Sequence, residues 1–228
     1  MLPRPVQAVV FDMDGLLVDT EVVIRDAMAD VARAAKLHLP PEVFNLMLGL
    51  NHAESQIILI DHFGPDFEVE GFIADVRTHM AETLDAGVAL KAGVVELLDH
   101  LDAAGLPRAI ATSSPHHEVD RNLGPRGLKP RFNAIIARGD YIRSKPYPDP
   151  FLRAAEALGV PPEACLALED SHNGVRAAHA AGMMTIMVPD LLEATPEMHG
   201  LCVRIAETLH EVVSLIPIGP AADAKESA

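Results

Sequence analysis

The sequence predicts an α/β protein built on a doubly wound parallel sheet, with one long helical insertion after the first strand. Short, almost entirely apolar runs recur along the chain, and such runs are typical of parallel strands that are buried on both faces. Helical patterns alternate with these runs, as in βαβ units. The interval between the first and second runs is far longer than one crossover helix requires, which indicates an inserted unit.

The predicted strands and their crossover helices follow one another in order. The apolar runs cover residues 8–11, 109–111, 134–137, 166–168 and 185–188. Three helices are predicted over residues 94–104, 149–158 and 173–181, and a glycine follows each of them directly. The second of these helices also begins with an acidic residue and a proline, which favour the first helical turn.

The long interval has a helical pattern throughout. Helices are predicted over residues 21–36, 42–48, 52–62 and 69–84. We therefore expect residues 1–16 and 89–228 to form the α/β core and residues 17–88 to form an all-helical domain at the edge of the sheet.

Composition limits the classes of function. Of 228 residues, 49% are hydrophobic and 22% are charged, so a well-packed globular core is expected. The formal charge of −15 disfavours binding to nucleic acid or to an anionic membrane surface, because both are bound through Lys and Arg. Cys165 and Cys202 fit no metal-binding spacing, and neither a secretory signal nor a membrane span is evident. A cytoplasmic, monomeric protein is the default expectation.

Polar residues follow the predicted strands at the points where those strands end. Asp12 and Asp14 follow the first strand, residues 112–114 ("TSS") follow the second, and Glu169 and Asp170 follow the fourth, while Lys145 stands in a proline-rich turn. The carboxyl ends of parallel strands share one edge of the sheet, where ligands bind. Carboxylates, hydroxyls and a lysine at this edge suit phosphoryl transfer assisted by a hard divalent cation such as Mg²⁺.

The residue types suggest distinct roles at such a site. One strand-end carboxylate can attack phosphorus, and the carboxylate two positions along points to the same side and can carry a proton. Glu169 and Asp170 offer oxygens to Mg²⁺, and Lys145 balances the negative charge.

Four segments carry a resemblance to a known family. "DMDGLLVDT", "ATSS", "SKPYPDPF" and "LALEDSHNGVRAAHAAGM" resemble the four motifs of the haloacid dehalogenase (HAD) superfamily, in the right order along most of the chain. The similarity is greatest to the branch with a helical cap, which includes sugar-phosphate phosphatases, phosphoglycolate phosphatases and β-phosphoglucomutase. The resemblance implies a Rossmann-like HAD core with an inserted all-helical cap domain, and a small-molecule phosphate ester as substrate.

The resemblance also implies roles for individual residues. Asp12 matches the nucleophile, and Asp14 matches the general acid/base that also lends a backbone carbonyl to Mg²⁺. The phosphate-binding hydroxyl falls on Thr112 or Ser113, and the lysine falls on Lys145. The acidic metal-binding pair falls on Glu169 and Asp170, so the implied metal set is Asp12, Asp14, Glu169 and Asp170.

Two positions near these motifs need comment. Ser144 stands where this branch often has Gly, which should change the loop more than the chemistry. His52 lies in the segment where relatives place substrate-reading residues, so it is a candidate substrate contact.

Each motif also has a structural interpretation. Asp12 and Asp14 could merely form a turn, residues 112–114 could cap a helix, and Lys145 could be a surface lysine. The occurrence of several motifs in order argues against a simple turn, whereas a helix cap and a phosphate site are compatible.

Three other functions compete with a phosphatase. A dehalogenase needs no metal and typically lacks the second acidic residue of the first motif, so Asp14 argues against it. β-Phosphoglucomutase shares every core motif, but Ile24, Leu48 and His52 occupy the positions of its cap His, Lys and Arg. A non-catalytic phosphate-binding module would be favoured if a core acidic residue were missing, and none is. The sequence therefore favours a Mg²⁺-dependent phosphatase over the mutase.

Overall fold

The computed structural model describes residues 2–48, 50, 52–86 and 88–217, and for residues 52 and 82–86 it describes the backbone alone. Six strands in this part of the chain form one parallel sheet in the order β3-β2-β1-β4-β5-β6. The strands are β1 (Ala8–Phe11), β2 (Arg108–Pro115), β3 (Ala134–Arg138), β4 (Cys165–Glu169), β5 (Met184–Met187) and β6 (Arg204–Ile205). The predicted fold class is confirmed.

Every predicted strand overlaps an observed one. Strands that are buried on both faces consist almost entirely of apolar residues, so they are easy to recognise in the sequence. β1 and β4 are fully buried along their length. The edge strand β6 was not predicted, since it has two residues, one exposed and one half-buried, and therefore gives no apolar run.

Ten α-helices lie in the described part of the chain. They are α1 (Thr20–Ala34), α2 (Pro41–Asn45), α3 (His52–Phe63), α4 (Val69–Ala86), α5 (Val94–Ala103), α6 (His116–Leu123), α7 (Asp149–Leu158), α8 (His172–Ala180), α9 (Pro196–Leu201) and α10 (Leu209–Val213). The seven helices predicted from the sequence correspond to α1–α5, α7 and α8. No described helix combines the length and the apolar character needed to cross a membrane.

The sheet order reverses direction around β1, which pairs with β2 on one side and with β4 on the other. This reversal opens a crevice at the carboxyl edge of the sheet, where a doubly wound fold binds its ligands. Asp12 follows β1 directly, and its backbone N–H donates a hydrogen bond of 3.0 Å to the carbonyl of Leu168 in β4. The carboxyl ends of β1 and β4 are therefore held side by side.

Helices α1–α4 pack around an apolar cluster of their own. Buried members of this cluster include Ala32, Phe44, Leu59 and Phe72, and it is distinct from the two clusters that flank the sheet. The chain enters and leaves this unit through two paired segments, where Asp19 N–H donates to the Ala89 carbonyl at 2.9 Å. These features support a separate helical unit. The bounds proposed for the core (1–16 and 89–228) and the helical domain (17–88) stay a proposal, since Leu17 and Val18 belong to a cluster that flanks the sheet.

Candidate active site

A buried lysine joins two carboxylates at the carboxyl edge of the sheet. The Nζ of Lys145 donates to Oδ1 of Asp12 and to Oε1 of Glu169. Lys145 is 4% exposed, Asp12 is 6% exposed and Glu169 is fully buried. The ammonium therefore neutralises charge that has almost no access to water, and it fixes the position of the Asp12 carboxylate.

Two glycines allow the acidic groups to lie this close to the backbone. A Cβ at Gly174 would lie 1.8 Å from Oε1 of Glu169, so only glycine leaves room for that side chain. A Cβ at Gly15 would lie 2.3 Å from Oδ2 of Asp170, and Gly15 also has a positive φ of 80°. The glycines of "DGLL" and "HNG" thus create space for carboxylates.

Backbone groups and a hydroxyl hold the second carboxylate oxygen of Glu169. Its Oε2 accepts hydrogen bonds from the N–H groups of Asp170 and Ser171, both at 3.1 Å, and from the Ser171 hydroxyl at 3.0 Å. Ser171 also caps α8, because its hydroxyl accepts a hydrogen bond from the Gly174 N–H. Ser171 therefore both caps α8 and holds the carboxylate of Glu169.

Asp14 lies in a different environment from Asp12, because hydroxyl groups surround it. Thr20 donates to its Oδ1 at 2.8 Å, and Ser114 donates to its Oδ2 at 2.7 Å. Thr112 lies 3.4 Å from the same Oδ2. These contacts aim the carboxylate of Asp14 while leaving it independent of Lys145.

Burial and neighbouring charge alter the proton affinity of the aspartates. Burial raises the pKa of Asp12 to about 8, against the opposing effect of the Lys145 ammonium. Burial also raises the pKa of Asp14, and the hydroxyl donors Ser114 and Thr20 oppose that rise. For Asp170, burial and the charges of Glu169 and Asp12 raise the pKa well above its ordinary value.

The lysine responds in the complementary way. Burial disfavours its ammonium, but the charges of Asp12 and Glu169 outweigh that effect and raise the pKa of Lys145. It therefore stays protonated throughout the physiological range.

Three of the carboxylates are grouped in a way that fits a hard cation. Asp12, Glu169 and Asp170 are all buried, and each offers an oxygen within 4.8 Å of the others. Buried carboxylate oxygens that crowd together are the ligands that Mg²⁺ and Ca²⁺ take, and the donor set contains no sulfur or imidazole. A bound cation would also neutralise part of their combined negative charge.

A cavity of about 570 Å³ opens over these groups, between the carboxyl edge of the sheet and the helical domain. Its floor carries Asp12, Asp14, Thr112, Lys145 and Asp170. Helices α1, α2, α3 and α4 and the segment after α2 form the opposite wall. A volume of this size accommodates a phosphate ester together with a substantial leaving group.

The structure brings together nearly all of the residues singled out in the sequence. Asp12, Lys145, Glu169 and Asp170 form one buried group, and Asp14 and Thr112 are in contact beside it. Ser113 lines the cavity. The side chain of His52 lies outside the described part of the chain, so its assignment as a substrate contact stays a prediction.

Thr20 and Glu21 were not identified as site residues from the sequence, and Ser114 was named there only as part of residues 112–114. Thr20 and Ser114 are the closest partners of Asp14, and Glu21 lines the cavity beside them. Burial, followed by the charges of Asp14 and Asp12, raises the pKa of Glu21 to about 8. Thr20 and Glu21 belong to the first turn of α1. Thr20 is the last residue of the segment resembling the first motif and Glu21 follows it, and that position was the available signal.

The motif order and this geometry agree with a comparison against known families. A family described as haloacid dehalogenase-like hydrolase matches residues 6–182. The chain belongs to this family. The match covers the four segments on which the resemblance rested, except for the last residue of the fourth, Met183, so the predicted HAD membership is confirmed.

Individual HAD relatives extend this result. The chain is 36% identical over 193 residues to a probable pseudouridine-5'-phosphatase of Drosophila melanogaster, with 82% of this chain and 83% of the relative covered. It is 32% identical over 201 residues to hexitol phosphatase B of Escherichia coli, with 82% and 85% covered. The predicted HAD-type enzyme is thereby confirmed, and relatives named as phosphatases support its class as a phosphoric monoester hydrolase.

A solved HAD structure agrees in shape as well. CbbY from Rhodobacter sphaeroides, crystallised in complex with phosphate, superposes with a TM-score of 0.76 at 27% identity. The superposition covers 91% of this chain and 96% of that one. Most of the fold is therefore shared with a protein that was crystallised in complex with phosphate.

Proposed function

We propose that this protein is a Mg²⁺-dependent phosphatase that hydrolyses a small phosphate monoester through an aspartyl-phosphate intermediate on Asp12. The observation that carries the proposal is the position of Asp12. It lies on the floor of a substrate-sized cavity, fixed by Lys145 and grouped with two further carboxylates. A fixed carboxylate at the end of a strand is suited to attack a phosphoryl group from below.

The proposed reaction has two halves. Asp12 attacks phosphorus in line, which breaks the bond to the leaving alcohol and forms the acyl phosphate, while Asp14 gives a proton to the leaving oxygen. Asp14 then accepts a proton from the water that hydrolyses the acyl phosphate, which regenerates Asp12. The hydroxyls of Thr20 and Ser114 hold Asp14 in one orientation for both transfers.

Charge has to be balanced before an anionic ester can enter this acidic cavity. Asp12, Glu169 and Asp170 would hold Mg²⁺, with a backbone carbonyl of Asp14 as the further ligand implied by the family. When bound, the ion screens the carboxylates and polarises the phosphoryl group. Lys145 supplies a second, permanent positive charge against Asp12. Thr112 and Ser113 lie at the cavity floor, where their hydroxyls can bind phosphoryl oxygens.

The substrate class follows from the relatives and from the cavity. A sugar phosphate is the first expectation, since relatives are named for pseudouridine-5'-phosphate and hexitol phosphate. Phosphoglycolate is a smaller member of the same ester class. A small-molecule phosphate ester fits a cavity of about 570 Å³.

Release of inorganic phosphate is the direct test. A panel of sugar phosphates, phosphoglycolate and an aryl phosphate is incubated with the protein, once with Mg²⁺ and once with EDTA. We expect release only with Mg²⁺, because the grouped carboxylates repel the ester when no cation screens them. Conversion of β-glucose 1-phosphate to glucose 6-phosphate, without phosphate release, would instead establish a mutase.

Replacement of Asp14 tests the proton carrier separately. Asp14→Asn keeps the shape of the side chain but cannot donate and accept a proton, so we expect phosphate release to fall about 10²- to 10⁴-fold. With an aryl phosphate, whose leaving group needs no proton, formation of the acyl phosphate should be less affected than its hydrolysis. Single-turnover measurements separate these two steps.

The matched control is Asp66→Asn, which makes the same change at an exposed position away from the cavity. The control should behave as the unmodified protein. An Asp14→Asn protein that hydrolyses both alkyl and aryl phosphates at the normal rate would refute the acid/base role.

A further inference from the structure

The cavity has two chemically different walls. The α/β core contributes polar groups almost exclusively, including Asp12, Ser113 and Lys145. Most of the side chains that the helical domain contributes are apolar. Six of these, which we call the apolar wall, are Ile24, Met28, Phe44, Met47, Leu48 and Met80.

Four polar residues of the helical domain also line the cavity, namely Thr20, Glu21, Ser55 and Arg77. Thr20 and Glu21 lie next to the catalytic carboxylates, since Thr20 donates to Asp14 and the charge of Asp14 acts on Glu21. The apolar residues outnumber these four, so the wall chiefly offers hydrocarbon and thioether surface to whatever occupies the cavity.

Part of this wall remains uncovered by the protein. Met28, Phe44, Met47 and Met80 are buried, but Ile24 and Leu48 are only half-buried although both face the cavity. Apolar atoms left open inside a cavity lose hydration when a ligand covers them, and that loss stabilises the complex. A bound group that covers Ile24 and Leu48 therefore gains affinity if it is apolar.

The geometry of in-line attack directs the leaving group toward the apolar wall. Asp12 lies on the floor, so in-line attack places the leaving oxygen on the far side of the phosphorus, toward the helical domain. The atoms beyond that oxygen then lie against the apolar wall. A fully hydroxylated chain would bring hydroxyls to a surface that cannot accept or donate hydrogen bonds, which weakens binding.

We propose that the preferred substrate is a phosphate ester whose non-reacting end is apolar, either an aliphatic chain or a flat ring. Polar atoms are accommodated away from the apolar wall, for example near the phosphate, where Glu21 and Ser113 line the cavity, and beside Asn122 of α6. This inference rests on the proposed phosphatase activity and narrows its substrate class away from simple polyol phosphates.

A series of primary alkyl phosphates tests the proposal without any substitution. The values of kcat/KM for ethyl, butyl and hexyl phosphate are compared with that for a hexitol 6-phosphate, which has the same number of carbons as hexyl phosphate. We expect up to about a fourfold increase in kcat/KM for each methylene that the wall covers. We expect hexyl phosphate to exceed the hexitol phosphate, although the hexitol is the better leaving group.

Substitutions in the wall make the assignment specific. Ile24→Asn and Leu48→Asn should each lower the ratio of kcat/KM for hexyl phosphate to that for ethyl phosphate about tenfold. The matched controls are Ile57→Asn and Leu46→Asn, because Ile57 is 58% exposed and Leu46 is 64% exposed, and neither lines the cavity. The controls should keep the original ratio.

The outcomes separate this inference from the proposed function. If the esters are hydrolysed but kcat/KM is flat with chain length, or the hexitol phosphate is preferred, the phosphatase stands and the apolar-substrate inference is wrong. If no ester is hydrolysed with Mg²⁺, the proposed function fails, and calorimetric binding of the same esters to the Asp12→Asn protein decides the inference. Hexyl phosphate that binds no more tightly than ethyl phosphate would then overturn it.

Discussion

Asp12→Asn is expected to lower the rate of phosphate release by about 10⁴-fold or more while the fold is retained. The amide nitrogen and oxygen of Asn occupy the same space as the carboxylate, but neither attacks phosphorus and forms an acyl phosphate. Lys145 would still pair with Glu169, so its ammonium keeps a buried partner. The loss of activity should therefore come from the missing nucleophile.

The stability of the Asp12→Asn protein is a second, independent test of the environment of Asp12. Burial raises the pKa of Asp12 to about 8, which means that the surroundings disfavour its ionised form when no metal is bound. We therefore expect the melting temperature of metal-free Asp12→Asn protein at pH 8 to equal or exceed that of the unmodified protein. Asp66→Asn serves as the control for substitution of an exposed Asp.

Two measurements decide the role of Asp12. Circular dichroism establishes folding, and a phosphate-release assay with Mg²⁺ establishes activity. A folded Asp12→Asn protein that retains more than about a tenth of the original rate would remove Asp12 from the role of nucleophile.

The sheet was predictable because its strands are short and buried on both faces. The strand β1 is an uninterrupted apolar run that Asp12 follows directly, and β4 is apolar up to its last residue, Glu169. Parallel strands bring their carboxyl ends to one edge, so the convergence of Asp12 and Asp170 followed from the strand order alone.

The contacts at the site were less predictable because they depend on side-chain direction. Sequence analysis proposed Thr112 or Ser113 as the phosphate-binding hydroxyl, and that assignment stays a proposal. It gave no indication that Ser114 would be the hydroxyl of this segment nearest to Asp14, at 2.7 Å. Three adjacent hydroxyls at a strand end cannot be told apart by periodicity, since the register of β2 is irregular between Ala111 and Pro115.

The helical wall of the cavity was beyond sequence analysis for a different reason. Residues such as Met28 and Leu48 have the spacing of ordinary core positions, and the spacing does not show which of them face a cavity. Helix α6 was missed because its sequence is mostly polar, and its buried apolar residues are Val119 and Leu123 alone. Packing against β2, β3 and α4 stabilises this helix, and its local sequence pattern does not show that packing.

Lys145→Met is expected to remove activity and also to destabilise the folded protein by about 3 kcal/mol or more in the absence of metal. Methionine retains most of the aliphatic lysine chain but lacks the ammonium, whose Nζ lies 5.1 Å from the centroid of the Phe151 ring. The loss is therefore chiefly that of the ammonium, which leaves Asp12 and Glu169 buried without a compensating charge. Lys129→Met, which breaks a partly exposed ion pair with Asp120, is the matched control and should change stability little.

The destabilisation should depend on pH in a defined direction. The pKa values of Asp12 and Asp170 are already raised in the folded protein, and removal of the ammonium raises them further. Groups with raised folded-state pKa values stabilise the fold at low pH, and that contribution is lost as the pH rises. The difference in unfolding free energy between the unmodified protein and Lys145→Met should therefore be larger at pH 8 than at pH 5.

Urea denaturation at the two pH values, in EDTA, measures this difference. Addition of Mg²⁺ at pH 8 should restore part of the lost stability, because a cation among the same carboxylates replaces the missing positive charge. A Lys145→Met protein as stable as the Lys129→Met control at both pH values would show that the buried carboxylates do not depend on Lys145. The proposal that the Lys145 ammonium balances the charge of Asp12 and Glu169 in the metal-free protein would then be wrong, and the lysine would act on the substrate alone.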